Sequence, residues 1–329
     1  MIRKGPRNLI SDVAGVTVGH YTVDEPRHHT GVTVILPAPQ EPFLFTHKLI
    51  AAGAVLNGYG KTQGLIQIDE LGTLETPIAL TNTLNIGKVH DALVQYMADE
   101  AKKRGVKLRS VNPVVGECND SALNEITERV IEKEHVFAAI KSAGPEFALG
   151  DVGAGKGTTC FGLKGGIGSA SRVFTVGEET YTLGVLVQSN FGEMANLRVD
   201  GEPIGREMAR KLSASEPDKG SVMIVVATDM PVTARQLKRI LRRAGVGLAR
   251  LGSFWGHGSG DIVIGFSTAQ RLREEERRGT VALRALNEEY INIPFEAMAD
   301  ATEEAVLRSM LEARPVGNRR SLSEFVKRT

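Results

Sequence analysis

The longest unbroken apolar run in the chain, Val222 to Ala227, follows a single small hydroxyl residue, Ser221, and a charged turn, Glu216-Pro217-Asp218-Lys219-Gly220. A run rich in β-branched residues and without polar alternation predicts a strand buried on both faces. Upstream, Asp12 to His20 and Gly31 to Leu36 alternate apolar and small residues across a polar turn containing His28 and His29, which predicts paired strands. Between Leu44 and Tyr59 the apolar spacing is helical and closes on Gly58-Tyr59-Gly60; Gln63 to Gly72 predicts a strand and turn. The run Pro77 to Leu80 ends in Thr81, Asn82, Thr83 and Asn85, a set that equally lines a pocket or simply ends a strand. Residues 88–103 and 129–142 predict amphipathic helices, the first closing on Lys102-Lys103-Arg104 in favour of its dipole. Tyr181 to Val187 predicts a strand with Asn190 at its tip, and Thr233 to Gly245 a helix with a basic, solvated face. Gly256-His257-Gly258-Ser259-Gly260-Asp261 opens a further strand, Ile262 to Ala269, the alternating glycines leaving Ser259 and Asp261 exposed on one side. The charged stretch 271–279 predicts a solvated segment, and Phe295 to Glu312 a last helix carrying Thr302-Glu303-Glu304 on a polar stripe.

Composition narrows the class. With 329 residues, 42% of them hydrophobic, the chain is long enough for a large core. Forty Lys and Arg balance 39 Asp and Glu, so no global charge draws it to nucleic acid or an anionic membrane, and a small partner is expected. Two cysteines, Cys118 and Cys160, make no disulfide framework and fit a reducing cytoplasm. No window nears the ~20 apolar residues of a membrane span, and the first eight residues contain no apolar signal core, so a soluble, unexported protein is expected. Adjacent histidines such as His28 and His29 point in different directions on a regular element, so no metal is expected there. Gly150, Gly155 and Lys156 have the spacing of a phosphate-binding loop, but Gly157 stands where that loop needs a hydroxyl, and no core strand precedes it.

The chemistry converges on Ser221. A serine at the mouth of a core strand, after a glycine without a Cβ to hinder attack, is placed to attack the carbonyl of Gly220. The peptide would become an ester and water would open it, leaving the free α-amine of Ser221 beside its own hydroxyl. An α-amine titrates near ~8 and can act as general base close to neutral pH. Glycine followed by serine is also ordinary turn chemistry. Asn190 has an amide at a strand tip, able to donate to an oxyanion. Glu117, Cys118 and Asn119 group an acid, a thiol and an amide at another strand end.

Taken together and in this order, Asp12 to Val16, Glu117-Cys118-Asn119-Asp120, Gly165-Gly166-Ile167-Gly168, Val187 to Asn190, Gly220-Ser221 and Gly258 to Asp261 resemble the self-processing serine aminopeptidases of the L-aminopeptidase/D-esterase and β-aminopeptidase family. The resemblance spans nearly the whole chain. It implies an α/β (α+β) fold, a four-layer αββα sandwich shared with N-terminal-nucleophile hydrolases and ornithine acetyltransferases, in one domain over 1–329 cleaved into chains 1–220 and 221–329 that stay together. It implies Ser221 as nucleophile and new N-terminus, Ser259 and Asp261 supporting its amine and hydroxyl, Asn190 in the oxyanion site, and Glu117 with Asn119 receiving the substrate, Glu117 at its free amino group. It implies hydrolysis of short peptides, amides or esters without cofactor or metal, by a homo-oligomer of processed units. Two alternatives remain: an acyltransferase like the ornithine acetyltransferases, which use threonine where Ser221 stands, or an unprocessed member that only binds a ligand. Two departures stand out. Ala122 lies where the family often carries a tyrosine, which implies a slower enzyme, another donor or different substrates, and Asp261 is one methylene shorter than a glutamate.

Overall fold

The structure, a computed structural model, describes residues 1–39, 41–212, 220–273 and 279–326; the turn preceding Gly220 and positions 274–278 of the charged stretch lie outside the described residues. In chain order the first strands are β1 (Arg3–Lys4), β2 (Thr17–Glu25), β3 (His28–Leu36), β4 (His47–Gly58), β5 (Thr73–Leu74), β6 (Ile78–Asn82) and β7 (Val114–Cys118). They are followed by β8 (Thr159–Cys160), β9 (Leu163–Lys164), β10 (Gly166–Val176), β11 (Glu179–Asn190), β12 (Ser221–Thr228) and β13 (Gly260–Arg273). The α-helices are α1 (Leu65–Leu71), α2 (Ile86–Lys103), α3 (Lys133–Lys141), α4 (Gly205–Leu212), α5 (Ala234–Leu241), α6 (Ala244–Arg250) and α7 (Asn292–Leu311).

Among the described residues one sheet has the order β1-β10-β11-β12-β13-β4-β5 and another the order β2-β3-β6-β7. Strand β12 lies at the centre of the larger sheet, antiparallel to β11 and parallel to β13, and all eight of its residues are buried. Its side chains divide between two cores: Val222, Ile224 and Val226 pack with Leu237 and Ile240 of α5 and Ala301 and Ala305 of α7, while Met223 and Val225 meet Leu80 and Val114 of the smaller sheet. A third core joins the outer face of that sheet, through Val32, Ala79 and Val115, to Val89 and Leu93 of α2 and Val136 of α3. Three apolar interfaces separate four layers, so the chain is an αββα sandwich. Each fully buried Val or Ile contributes roughly 1.5–3 kcal/mol, so β12 is anchored from both of its faces.

Several expectations are corrected. The segment with helical spacing is β4, whose run Leu49 to Ala54 is buried throughout between β13 and β5, so neither face shows polar alternation. The expected strand after Gln63 is helix α1, bracketed by Gly64 and Gly72, both at positive φ. His28 and His29 belong to β3, and the turn is Pro26-Arg27. The glycine-rich stretch after Gly165 is itself a strand, β10: a Cβ on Gly168 would stand 1.8 Å from the carbonyl oxygen of Ala305 on α7, so small residues are what let helix and sheet touch. Thr302 is buried and donates to the Met298 carbonyl at 2.8 Å, so it is no part of a polar stripe. Residues 271–273 end β13 instead of starting a solvated segment.

Candidate active site

Ser221 opens β12 where β11 ends, and its register partner there is Asn190. Side chains alternate along a strand. Four residues on, the partners Val225 and Leu186 both enter the core between the sheets, so Ser221 and Asn190 share that face at its rim. On the other flank Ser221 is in register with Gly260, whose N–H donates to the carbonyl oxygen of Gly220 at 3.2 Å. Gly220 has no room for a side chain: a Cβ would lie 1.9 Å from the Asn190 carbonyl oxygen and 2.5 Å from Phe191 Cα.

A cavity of about 610 Å³ lies over this rim, with Gly220, Ser221, Glu117 and Asn119 in its wall. Glu117 is the penultimate residue of β7 and is only 3% exposed. Its Oε1 accepts the Lys61 backbone N–H at 2.9 Å and its Oε2 the Thr83 hydroxyl, so the carboxylate is held with both oxygens engaged yet borders open space. Asn119 is exposed, and its Oδ1 accepts the Ser121 N–H at 2.9 Å. Tyr59, Lys61, Glu193, Phe254 and His257 complete the mouth.

Asn190 is 6% exposed, and its Oδ1 accepts the Thr159 N–H at 2.9 Å, which fixes which end of the amide is anchored. Ser259 and Asp261 are not exposed as the glycine pattern predicts. Both are buried, and the Ser259 hydroxyl donates to Asp261 Oδ1 at 2.7 Å. The glycines have the opposite effect to the expected one: Gly260 packs so closely that a Cβ would meet Gly60 N and Cα at 2.8 Å, and the loop folds inward. What the loop presents to the cavity is Gly256, His257 and Gly258. The Ser259–Asp261 pair instead brackets Gly260, the strand neighbour of Ser221, and the Ser259 carbonyl accepts the Tyr59 N–H at 3.2 Å.

Cys118 lies directly behind the rim, its Sγ donating to the carbonyls of Gln188 at 3.4 Å and Ser221 at 3.6 Å. Full burial pushes its thiol far above the usual range, which keeps it in the protonated, weakly nucleophilic form. Asp120 is buried beside Thr30, Asn82 and Asn124, and burial raises it to about 6. Ala122 is exposed, and the tyrosine that lines the cavity is Tyr59. Lys156 is engaged by Asp24 at 2.7 Å and Asp151 at 3.2 Å, which neutralises the cation a phosphate would need. Among the described residues no group of three His, Cys, Asp or Glu is placed to hold a metal ion.

The Lys61 backbone N–H and the aromatic mouth residues Tyr59 and Phe254 were not singled out by their sequence, and Thr83 was read only as one of a set that lines a pocket or ends a strand. The cluster of threonines and asparagines ending β6 was the one available signal, and it divides: Thr83 reaches Glu117, whereas Asn82 and Asn85 bond each other beneath it.

The sequence model of peptidase family S58 matches residues 8–323. The β-peptidyl aminopeptidase of Sphingosinicella microcystinivorans is 36% identical over 336 residues, covering 94% of this chain and 83% of its own length. Among solved structures, a protein of Pyrococcus horikoshii superposes with a TM-score of 0.91 at 44% identity, covering 99% of this chain and 94% of its own. The L-aminopeptidase D-Ala-esterase/amidase of Ochrobactrum anthropi, described as a prototype of the serine aminopeptidases and a variant of the Ntn hydrolase fold, superposes with a TM-score of 0.89 at 34% identity, covering 96% and 89%.

Proposed function

The chain belongs to peptidase family S58 and is a serine aminopeptidase, and on that premise we propose that Ser221 is its nucleophile, freed by cleavage of the Gly220–Ser221 bond. Ser221 Oγ attacks the Gly220 carbonyl carbon, the C–N bond breaks as the nitrogen takes the hydroxyl proton, and water hydrolyses the ester to leave a Gly220 carboxylate and a Ser221 amine. In turnover that amine accepts the proton of its own hydroxyl as Oγ attacks the substrate carbonyl. The Asn190 amide nitrogen donates to the oxyanion, the leaving amine departs with the proton, and water releases the acyl group. Ser259 and Asp261 support the new amine from the adjoining strand end, through the backbone around Gly260.

The single observation that supports aminopeptidase specificity at these residues is the shared wall of Ser221 and Glu117. A fixed carboxylate opposes a developing oxyanion unless a cation lies between them, and the free ammonium of a substrate is that cation. The substrates we assign are short peptides, aminoacyl amides and esters with a free amino terminus, in keeping with the names of the relatives. Two buried cysteines, neither of them in a disulfide among the described residues, are compatible with a cytoplasmic location. Assembly into homo-oligomers of processed units extends the reading, and light scattering tests it. The decisive experiment is a denaturing gel with N-terminal sequencing: the protein runs as fragments 1–220 and 221–329, and Ser221→Ala as one folded, inactive chain. A smaller fragment beginning elsewhere, or an active Ser221→Ala, refutes the assignment.

A further inference from the structure

Lys164, in β9, is fully buried, and among the described residues its ammonium is held by backbone carbonyls alone: Gly165 at 2.7 Å, Thr158 at 2.8 Å and Gly155 at 2.9 Å. Burying a charge against dipoles is unfavourable compared with an apolar side chain of the same size. The Thr158 carbonyl belongs to the same planar peptide group as the Thr159 N–H, the donor that anchors Asn190. In a trans peptide the two point in opposite directions, so fixing the carbonyl from one side aims the N–H from the other.

We infer that Lys164 is a positioning residue for the oxyanion site: through the Thr158–Thr159 peptide it sets the direction in which the Asn190 amide nitrogen points at the Ser221 rim. The inference rests on the role proposed for Asn190. A cation on the carbonyl also polarises the peptide and strengthens its N–H as a donor. The Gly165 N–H donates to the same Thr158 carbonyl at 3.1 Å, so the peptide is held by the hairpin and the ammonium together. Burial lowers Lys164 to about 7, and the nearby carboxylate of Asp151 opposes that shift.

The test is a double-mutant cycle on the processed enzyme, with rates taken per active site counted from the acylation burst. Asn190→Ala lowers kcat about 10²–10³-fold, as expected for loss of an oxyanion donor. Lys164→Met produces most of that loss at unchanged KM, and the double variant is no slower than Asn190→Ala. Losses that multiply, or a KM that rises with the fall in kcat, overturn the positioning role. Full kcat in Asn190→Ala alongside a dead Ser221→Ala overturns the Asn190 role, and this inference with it, while leaving the nucleophile in place. If Lys164→Met does not fold, Lys164→Gln, which keeps a donor but not the charge, replaces it: kcat falls by a smaller factor that disappears on the Asn190→Ala background, and a loss that multiplies with Asn190→Ala overturns the positioning role. If neither folds, hydrogen exchange in the unaltered enzyme decides: Thr159 N–H is protected at least about 10³-fold, and exchange at the unprotected rate refutes the proposal.

Discussion

Replacing Glu117 with Gln changes the charge at one wall of the cavity while leaving its hydrogen bonds available. The amide oxygen can accept the Lys61 N–H in place of Oε1, and the amide nitrogen can donate to the Thr83 hydroxyl, which rotates to accept. The fold is therefore expected to survive with its melting temperature unchanged or raised, because a buried anion is removed. What disappears is the charge-assisted contact with a substrate ammonium, about 1.5–3 kcal/mol, which at 1.4 kcal/mol per decade corresponds to about tenfold to a hundredfold in kcat/KM. The assay compares alanine p-nitroanilide with the p-nitrophenyl ester of N-acetylalanine, which has no ammonium to bind. The first should fall by that factor and the second stay nearly constant. An equal fall for both would make Glu117 a structural or processing residue and refute the substrate reading.

Ser259→Ala should lower turnover tenfold to a thousandfold and, because the hydroxyl is a buried donor to Asp261, also destabilise the fold by about 1–3 kcal/mol; an unchanged rate with only a lower melting temperature would confine the pair to a structural role. Gly220→Ala places a Cβ against backbone atoms of Asn190 and Phe191, so self-cleavage should slow at least about tenfold on a gel time course, and a normal rate would show that the β11 end gives way freely. Asp120, raised from 3.8 to about 6, binds a proton more readily in the folded state than in the unfolded one, so its contribution is fully present below about pH 4 and is lost as pH rises through about 6. Urea midpoints between pH 4 and 7 should decline by the equivalent of about 2 kcal/mol from this group, and Asp120→Asn should remove that decline.

What the sequence made legible follows from how each segment is buried. Strand β12 is apolar without interruption because it is covered on both faces, and that is why Ser221 could be placed at its mouth. Strand β4 is covered in the same way, but its alanines and Gly53 supply no β-branched signal, so its spacing imitates a helix. Helix α1 was hidden for the opposite reason: it is seven residues long with Ile66 and Leu71 exposed, leaving no amphipathic pattern to read. In the candidate site, Glu117 and Ser221 were visible as residues at strand ends. Their meeting came only through the resemblance to the family, since no local pattern reports how the two sheets stack. The burial of Ser259 and Asp261 depends on Gly60, about two hundred positions away in the chain, and no local pattern reports such a contact.

The order of the large sheet gives the proposed cut a lasting consequence. Fragment 221–329 would contribute β12 and β13 side by side, while fragment 1–220 would flank them with β11 on one edge and β4 on the other. Neither piece is a module, because each keeps the other's strand edges covered. The chain would thus fold once as a single molecule and afterwards persist as a tight pair of unequal partners. Unfolded after the cut, it could return only by a bimolecular encounter, so recovery would fall on dilution although the native enzyme endures it, and its working lifetime would be set by how slowly it first opens.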